Sequence, residues 1–369
     1  MNVCVLGLRG FPRVMGGVET HCENLYPLLK KLRPNDSFTI IGRKTYLPEP
    51  VSEYQGLRIV SLAHVRERHL ETITNAAYGV LYARFVLHAQ LLHLHGIGPA
   101  LIAPIAKLLG MKVIVTYHSK NYEHRKWNWF GKRALRVGEV CSILFGDKVI
   151  TVSRSLAMDL KRRFPRAAHK IHFIPNGADH LLRTPDFYGV PEILSKYGLV
   201  KDRYIVSVGR LVPEKGFHDL IRAFKSADLG CKLVIVGDAD HRDDYSSRLL
   251  AAAGDTIVFT GFLNGDALRN VLKNASLFVL PSYNEGLPIA ALEAAVAGCP
   301  VLLSDIQPNR DLGLRPENYF KVGDIEHLCY RLAQDHAAYT VDRDAILQKY
   351  NWNGVCVETD KVYSSIHFR

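Results

Sequence analysis

Two successive series of short apolar runs, each run followed by a longer stretch with helical spacing, extend through this 369-residue chain. A strand buried on both faces of a parallel sheet is nearly continuously apolar, and the connection to the next parallel strand is usually a helix. The first series predicts strands at residues 2–6, 38–41, 58–61, 91–95, 113–117 and 148–152. The pattern therefore predicts an α/β domain with a parallel sheet covered by helices.

A second alternating series begins after the turn-forming sequence PNGAD at residues 175–179. It predicts strands at residues 204–208, 232–236, 257–260, 277–280 and 300–303. We therefore predict two successive Rossmann-like, doubly wound domains, at residues 1–180 and 181–345. The final stretch, 346–369, has helical spacing and is predicted to cross back to the first domain.

The segment 281–298, PSYNEGLPIAALEAAVAG, follows a predicted strand and carries the strongest candidate site. A helix that begins near Leu287 would present backbone N–H groups to which a phosphate can dock. Glu285 lies in the loop and Glu293 lies two turns into the helix, so one carboxylate can meet a sugar ring and the other a ribose. The structural alternative is a capping acidic residue with a surface glutamate.

The loop 207–216, SVGRLVPEKG, also follows a predicted strand, where open α/β sheets bind their ligands. Arg210 and Lys215 supply two cations from this one loop. Paired cations would stabilise the negative charge that develops on a departing diphosphate. A solvated loop without a ligand is the alternative.

Together these segments resemble the retaining GT-B glycosyltransferases of family 4, and the resemblance covers nearly the whole chain. The opening GLRGFPRVMGGVETH is similar to the branch with bacterial rhamnosyltransferase-like polysaccharide enzymes. The resemblance implies two Rossmann-like domains that face each other across a cleft, with Arg210 and Lys215 on the donor diphosphate. It implies that Glu285 contacts the transferred sugar and that Glu293 binds the ribose hydroxyls. It also implies that the phosphate and sugar pocket is lined by Gly286, Leu287 and Pro288.

The resemblance predicts a retaining transfer of a hexose or deoxyhexose from a nucleotide-sugar to a saccharide acceptor. The acceptor is expected to be lipid-linked, as in surface polysaccharide or lipopolysaccharide biosynthesis. No cofactor and no metal are expected, because cations and helix ends replace the divalent ion in such enzymes. UDP-hexose, dTDP-rhamnose and GDP-mannose remain open as donors.

Three residues of the first domain are further candidates. Gly16 and Gly17 follow the first strand, where missing side chains let backbone amides approach a phosphate or sugar; a plain turn is the alternative. His118 follows the strand 113–117, and the resemblance assigns it to the donor sugar, although a lone histidine is often structural. His93 and His95 alternate along a strand, and we expect them to point to opposite faces, which argues against a metal site.

The charge of the chain is uneven. Residues 1–180 contain 26 Lys and Arg against 12 Asp and Glu, whereas the remainder has a net charge of −3. This asymmetry predicts that the first half meets a polyanion or an anionic membrane surface. The segment 125–136, RKWNWFGKRALR, mixes aromatic and basic residues as a lipid-facing segment does, although a helix packed on its own domain fits the pattern as well.

We expect a cytoplasmic location, with peripheral attachment to the inner face of the plasma membrane as a hypothesis, because the start lacks the features of a signal peptide. Three other functions fit parts of the sequence. A nicotinamide-dependent oxidoreductase is disfavoured because GLRG lacks the GxGxxG spacing. A basic nucleic-acid-binding protein has only the charge in its favour, and no nucleic acid is expected as a partner. A nucleotide-sugar epimerase of similar build remains an alternative.

Overall fold

The computed structural model describes residues 1–47, 49–65, 67, 70–123, 128–183 and 191–368. The chain divides into two units, Met1–Asn176 with Trp352–Arg369, and Gly177–Asn351. Each unit has its own sheet and its own hydrophobic core.

The described part of the first unit contains an eight-stranded sheet in the order β3-β4-β2-β1-β5-β6-β7-β8. Its strands are β1 (Asn2–Leu6), β2 (Ser37–Arg43), β3 (Val51–Tyr54), β4 (Leu57–Leu62), β5 (Leu91–His95), β6 (Lys112–Tyr117), β7 (Lys148–Thr151) and β8 (Ile171–Phe173). All neighbouring strands are parallel except β3, which runs antiparallel to β4. The chain builds outward from β1 on one side and from β5 on the other, so the switch point of the sheet lies between these two strands.

Helices pack on both faces of this sheet because its strands are apolar on both faces. They are α1 (Gly17–Leu32), α2 (Glu71–Phe85), α3 (Ala103–Leu108), α4 (Trp129–Phe145) and α5 (Arg154–Arg163), and a short 3₁₀ helix spans Pro99–Ile102. Gly138, on the buried side of α4, allows close packing, since a Cβ there would lie 2.0 Å from the carbonyl oxygen of Ile97.

The second unit contains a six-stranded parallel sheet in the order β11-β10-β9-β12-β13-β14. Its strands are β9 (Tyr204–Val208), β10 (Lys232–Val236), β11 (Ile257–Gly261), β12 (Leu277–Leu280), β13 (Val301–Ser304) and β14 (Tyr319–Phe320). The described helices are α6 (Glu192–Lys196), α7 (Phe217–Ala227), α8 (Asp244–Leu250), α9 (Gly265–Lys273), α10 (Ile289–Val296), α11 (Gln307–Arg310), α12 (Ile325–Leu332) and α13 (Arg343–Lys349). The switch point of this sheet lies between β9 and β12.

The last helix, α14 (Trp352–Ser364), belongs to the first unit and packs against α1. Trp352 is fully buried at its start, and the Arg33 guanidinium of the first unit pairs with the Asp360 carboxylate. The sequence pattern shows one helical stretch after residue 345, whereas the structure has two helices separated at Tyr350 and Asn351. The chain therefore returns to the first unit through the start of α14.

The two mainly parallel sheets confirm the predicted α/β class, and the three short strands β3, β8 and β14 were not predicted. No helix among the described residues is long and apolar enough to cross a membrane. All seven cysteines are free, and Cys4, Cys22, Cys299 and Cys356 are buried.

The two glycines at the start of α1, Gly16 and Gly17, have different surroundings. Gly16 has φ 148°, a conformation that favours glycine, and a Cβ there would lie 2.0 Å from Oε2 of Glu19. Glu19 is itself buried, and its carboxylate accepts hydrogen bonds from the backbone N–H and the guanidinium of Arg9. A Cβ on Gly17 would meet nothing within 4 Å. Gly16 therefore has a structural role of its own, whereas the space beside Gly17 is open.

Alanine substitutions at these two glycines should differ in their effect on stability. Gly16→Ala should lower the free energy of unfolding by about 1–3 kcal/mol, because it strains the backbone and displaces Glu19. Gly17→Ala should change it by less than about 1 kcal/mol, in the stabilising direction, since alanine restricts the unfolded chain. Urea denaturation of both variants measures the difference. Equal destabilisation by the two substitutions would contradict this assignment.

Candidate functional site

Two loops meet at the switch point of the second sheet. β9 pairs directly with β12, and both strands are parallel, so the loops that follow them emerge at the same edge. The first loop leads to α7 and the second leads to α10. Ligands of open α/β sheets bind at such a place, because the two loops diverge there and leave a crevice.

A charged pair joins the loops. Nζ of Lys215 lies 2.6 Å from Oε1 of Glu285, and the Ser282 hydroxyl donates to the same oxygen at 2.7 Å. The backbone N–H of Tyr283 donates to the carbonyl of Glu214, which fixes the two loops side by side. Gly216 makes the approach possible, because it has φ 69° and a Cβ there would lie 2.1 Å from the Pro281 carbonyl oxygen.

Arg210 lies in the same loop as Lys215 but has a different partner. Its Nη1 contacts Oδ2 of Asp240 at 3.0 Å, and Asp240 lies in the loop that follows β10. A guanidinium has five N–H donors, so this contact leaves others for a ligand. The structure thus brings Lys215 and Glu285 into direct contact, and it places Arg210 on the β10 side of the same loop.

The residues from Gly286 to Pro288 form the approach to α10. Leu287 and Pro288 are buried, and Gly286 is partly exposed. Pro288 occupies the N-cap position and has no polar side-chain atom with which to cap the helix. The amide groups of the first turn therefore remain at the positive end of the helix, next to the loop that carries Glu285.

Glu293 lies inside α10 and is buried. Its Oε1 lies 2.9 Å from Nε2 of His180, which belongs to the 3₁₀ helix Asp179–Leu182. His180 could not be identified from the sequence, because a single histidine after a turn carries no motif. The contact holds the Glu293 carboxylate in one orientation.

His118 lies at the corresponding edge of the first sheet, directly after β6. Its Nε2 is 3.0 Å from Nδ1 of His95, on the neighbouring strand β5. The expectation that His93 and His95 point to opposite faces is wrong, because residues two apart on a strand share a face. Their rings stack with centroids 4.5 Å apart, and both contact the Tyr26 hydroxyl.

His21, on α1, completes a group of three histidines with His95 and His118. One nitrogen of each lies within 4.8 Å of one nitrogen of the others, a spacing that would allow a metal ion to bind. Burial lowers the pKa of His21 to about 4 and lowers the pKa values of His95 and His118 well below the usual range. All three imidazoles are therefore neutral at pH 7.

The remaining candidates lie in the first unit or outside the described residues. Gly16 and Gly17 follow β1, at the same edge of the first sheet as His118. Of the segment 125–136, residues 125–127 lie outside the described residues, and the remainder forms the start of α4.

Two family models match the chain in succession. The model described as Glycosyltransferase Family 4 matches residues 15–180, and the model described as Glycosyl transferases group 1 matches residues 190–323. An uncharacterized glycosyltransferase of Methanocaldococcus jannaschii is 28% identical over 388 residues, which is 95% of each chain.

Solved structures show the same fold. Sucrose-phosphate synthase from Thermosynechococcus elongatus superposes with a TM-score of 0.80 at 20% identity, over 98% of each chain. HepE of Anabaena, solved in complex with UDP and glucose, superposes with a TM-score of 0.77 at 17% identity, over 99% of this chain and 100% of that chain. The two family models match the chain in succession, and solved structures of this fold superpose on nearly all of it. The protein is therefore a glycosyltransferase of the GT-B fold.

Proposed function

We propose that this enzyme transfers a hexose or deoxyhexose from a nucleoside diphosphate sugar to a saccharide acceptor, with retention at the anomeric carbon. The observation that carries the proposal is the Lys215–Glu285 pair at the β9/β12 switch point, where it joins the two loops. A cation and a carboxylate held side by side suit a donor that has a charged diphosphate next to a neutral sugar.

The diphosphate is assigned to Lys215, Arg210 and the start of α10. An ammonium group has three donors, so the contact with Glu285 leaves two for phosphate oxygens. Arg210 retains donors beyond the one that faces Asp240. The positive end of α10 adds the amide groups of its first turn, as at other phosphate sites.

The two glutamates are assigned to the neutral parts of the donor. Lys215 and the Ser282 hydroxyl both contact Oε1 of Glu285, and we assign this carboxylate to hydroxyls of the transferred sugar. Glu293 is buried and oriented by His180, and we assign it to the ribose hydroxyls. Gly286, Leu287 and Pro288 are assigned to the lining of this pocket, and His118 is assigned to the donor sugar.

In the proposed reaction, the bond between the anomeric carbon and the phosphate oxygen breaks. The acceptor oxygen forms a new bond to that carbon on the same face. The acceptor hydroxyl proton passes to an oxygen of the departing phosphate, so the charge balances without a protein base. Lys215, Arg210 and the helix end stabilise the negative charge of the leaving group, and the proposal therefore includes no metal.

The acceptor is proposed to be lipid-linked, and an exposed apolar face of the first unit supports this proposal. The 3₁₀ helix Pro99–Ile102 contacts both α2 and α4, and α3 contacts α4, so these helices are neighbours. The apolar face is formed by their exposed side chains, Tyr78, Leu81, Phe85, Ile105, Leu108, Trp129, Phe130, Val137, Val140 and Leu144. Exposed apolar side chains concentrated on neighbouring helices are typical of a contact site.

Basic residues accompany the apolar face. Arg84, Arg133 and Arg136 are exposed on α2 and α4, and the Arg133 guanidinium lies 5.4 Å from the centroid of the Trp129 ring. Aromatic and aliphatic side chains with arginines beside them suit a bilayer that contains anionic lipids. We therefore propose that this face rests on such a bilayer, where a lipid-linked acceptor would be found.

Replacing Lys215 by alanine tests the donor site. Turnover should fall by about 100- to 1000-fold, because one preorganised cation opposite the leaving group is lost. The matched control is Lys225→Ala, an exposed lysine in the last turn of α7, which should turn over like the wild type. Release of UDP, dTDP or GDP from UDP-glucose, dTDP-rhamnose or GDP-mannose measures turnover. Equal activity of the two variants would refute the assignment.

Vesicle sedimentation tests the apolar face. The triple variant Trp129→Ser, Phe130→Ser, Leu144→Ser should lose sedimentation with vesicles that contain phosphatidylglycerol, and the wild type should not sediment with neutral phosphatidylcholine vesicles. The control variant Val200→Ser, Tyr330→Ser removes exposed apolar residues of the second unit and should sediment like the wild type. Unchanged sedimentation of the triple variant would overturn the proposal.

A further inference from the structure

A chain of hydrogen-bonded side chains extends from His118 into the core of the first unit. Behind His118, Nδ1 of His95 makes the first contact, and Nε2 of His95 lies 2.6 Å from the Tyr26 hydroxyl. The same hydroxyl lies 2.9 Å from Nδ1 of His93, whose Nε2 is 2.7 Å from the Thr116 hydroxyl. Both ring nitrogens of His93 and both ring nitrogens of His95 therefore have a side-chain hydrogen-bond partner.

The tautomers of these imidazoles are linked. Burial lowers the pKa of His93 to about 3 and lowers that of His95 well below its usual range, so each ring is neutral and has one N–H and one lone pair. If Tyr26 donates to His95, then His95 donates to His118, and the second nitrogen of His118, Nδ1, carries the proton. If the direction is reversed, Nδ1 of His118 is a lone pair. The direction of these hydrogen bonds therefore sets whether Nδ1 of His118 donates or accepts a hydrogen bond.

The C-terminal helix α14 holds the end of this series of hydrogen bonds that is farthest from His118. The Tyr363 hydroxyl on α14 lies 2.7 Å from Nδ1 of His93, and the two rings are in edge contact. At the other end of α14, the Trp352 ring packs edge-on against His21, with centroids 5.6 Å apart. Nδ1 of His21 is held by the side-chain oxygen of Asn176 at 2.9 Å. α14 thus contacts the histidine cluster at both of its ends.

His21 belongs to the same histidine cluster, and its hydrogen bonding bears on whether the cluster binds a ligand. It is 98% buried, yet its Nε2 has no hydrogen-bond partner among the described residues. A buried nitrogen without a partner costs free energy, and such a cost is usually met by a ligand group or water. The His21 and His118 rings lie 5.0 Å apart in edge contact, so the free nitrogen belongs to the same cluster.

We propose that Tyr26 and His95 are positioning residues, which hold His118 in one tautomer and one orientation, with Tyr363 of the C-terminal helix as their anchor. The proposal rests on the proposed function, because it uses the assignment of His118 to the donor sugar. It assigns a catalytic purpose to residues that are buried and do not contact substrate themselves. A metal ion held by His21, His95 and His118 is the competing outcome, which would require one ring nitrogen of His95 to give up its hydrogen bond to His118 or to Tyr26.

Tyr26→Phe is the central test, because it removes one hydroxyl and keeps the ring. It should lower kcat by about tenfold or more and change the donor KM by no more than about twofold, since only the alignment of His118 is lost. The control is Tyr54→Phe, which removes a hydroxyl that donates to Glu23 and takes no part in the hydrogen bonds between Tyr26 and the histidines. The donor is whichever of UDP-glucose, dTDP-rhamnose and GDP-mannose the wild type turns over fastest. A kcat for Tyr26→Phe equal to that of Tyr54→Phe would overturn the proposal.

A second pair of variants protects the test against misfolding. His95→Gln keeps a side chain that both donates and accepts, whereas His95→Leu keeps neither function, so glutamine should retain the greater activity. Equal loss in both variants would count against a positioning role. The affinity for the nucleoside diphosphate of that donor, which is assigned to the second unit, should remain unchanged in every variant. An unchanged circular dichroism spectrum reports that the first unit, which contains the substitutions, is folded.

Nitrogen-15 NMR of the histidine side chains gives a readout without activity. In the wild type His118 should show one tautomer, and in Tyr26→Phe it should show a mixture; a mixture in the wild type would overturn the proposal. Stoichiometric zinc, copper or nickel in protein purified without a metal column, lost in His95→Gln, would also overturn it. If the wild type turns over no nucleotide sugar, the proposed function fails, while the NMR result still decides the tautomer.

Discussion

The ion pair between Lys215 and Glu285 is the contact on which the donor site depends. It lies between two loops that are 70 residues apart in the chain, and a backbone hydrogen bond from Tyr283 to Glu214 lies beside it. Both side chains are largely buried, so removing either partner would leave a charge without compensation. The pair orders the site before a ligand arrives, and that preorganisation is what stabilisation of a leaving group requires.

Most of the fold could be predicted because the strands are buried on both faces. β1, β5, β9, β10 and β12 have the bounds that their apolar runs predict. β3 was missed because it is an edge strand whose side chains alternate between exposed and half-buried, so it has no apolar run. β14 has only two residues, which is too short for any pattern. The break between α13 and α14 was missed because both helices have apolar residues at helical spacing.

The candidate site could be predicted only in part. The loops with Lys215 and Glu285 were identified from their position after strands, but their contact depends on the pairing of β9 with β12, which no local pattern reveals. His180 was missed for the same reason, since its partner is 113 residues away. The histidine network depends on strand order as well, and β5 lies between β1 and β6 only in the folded sheet.

A crystal structure with a bound nucleoside diphosphate tests the central claim most directly. Crystals grown with UDP, GDP or dTDP in the presence of EDTA should show both phosphates at the β9/β12 switch point. Nζ of Lys215, the Arg210 guanidinium and the amide groups at the start of α10 should lie within hydrogen-bond distance of the phosphate oxygens. A diphosphate bound elsewhere, or bound there without contact to Lys215, would contradict the account.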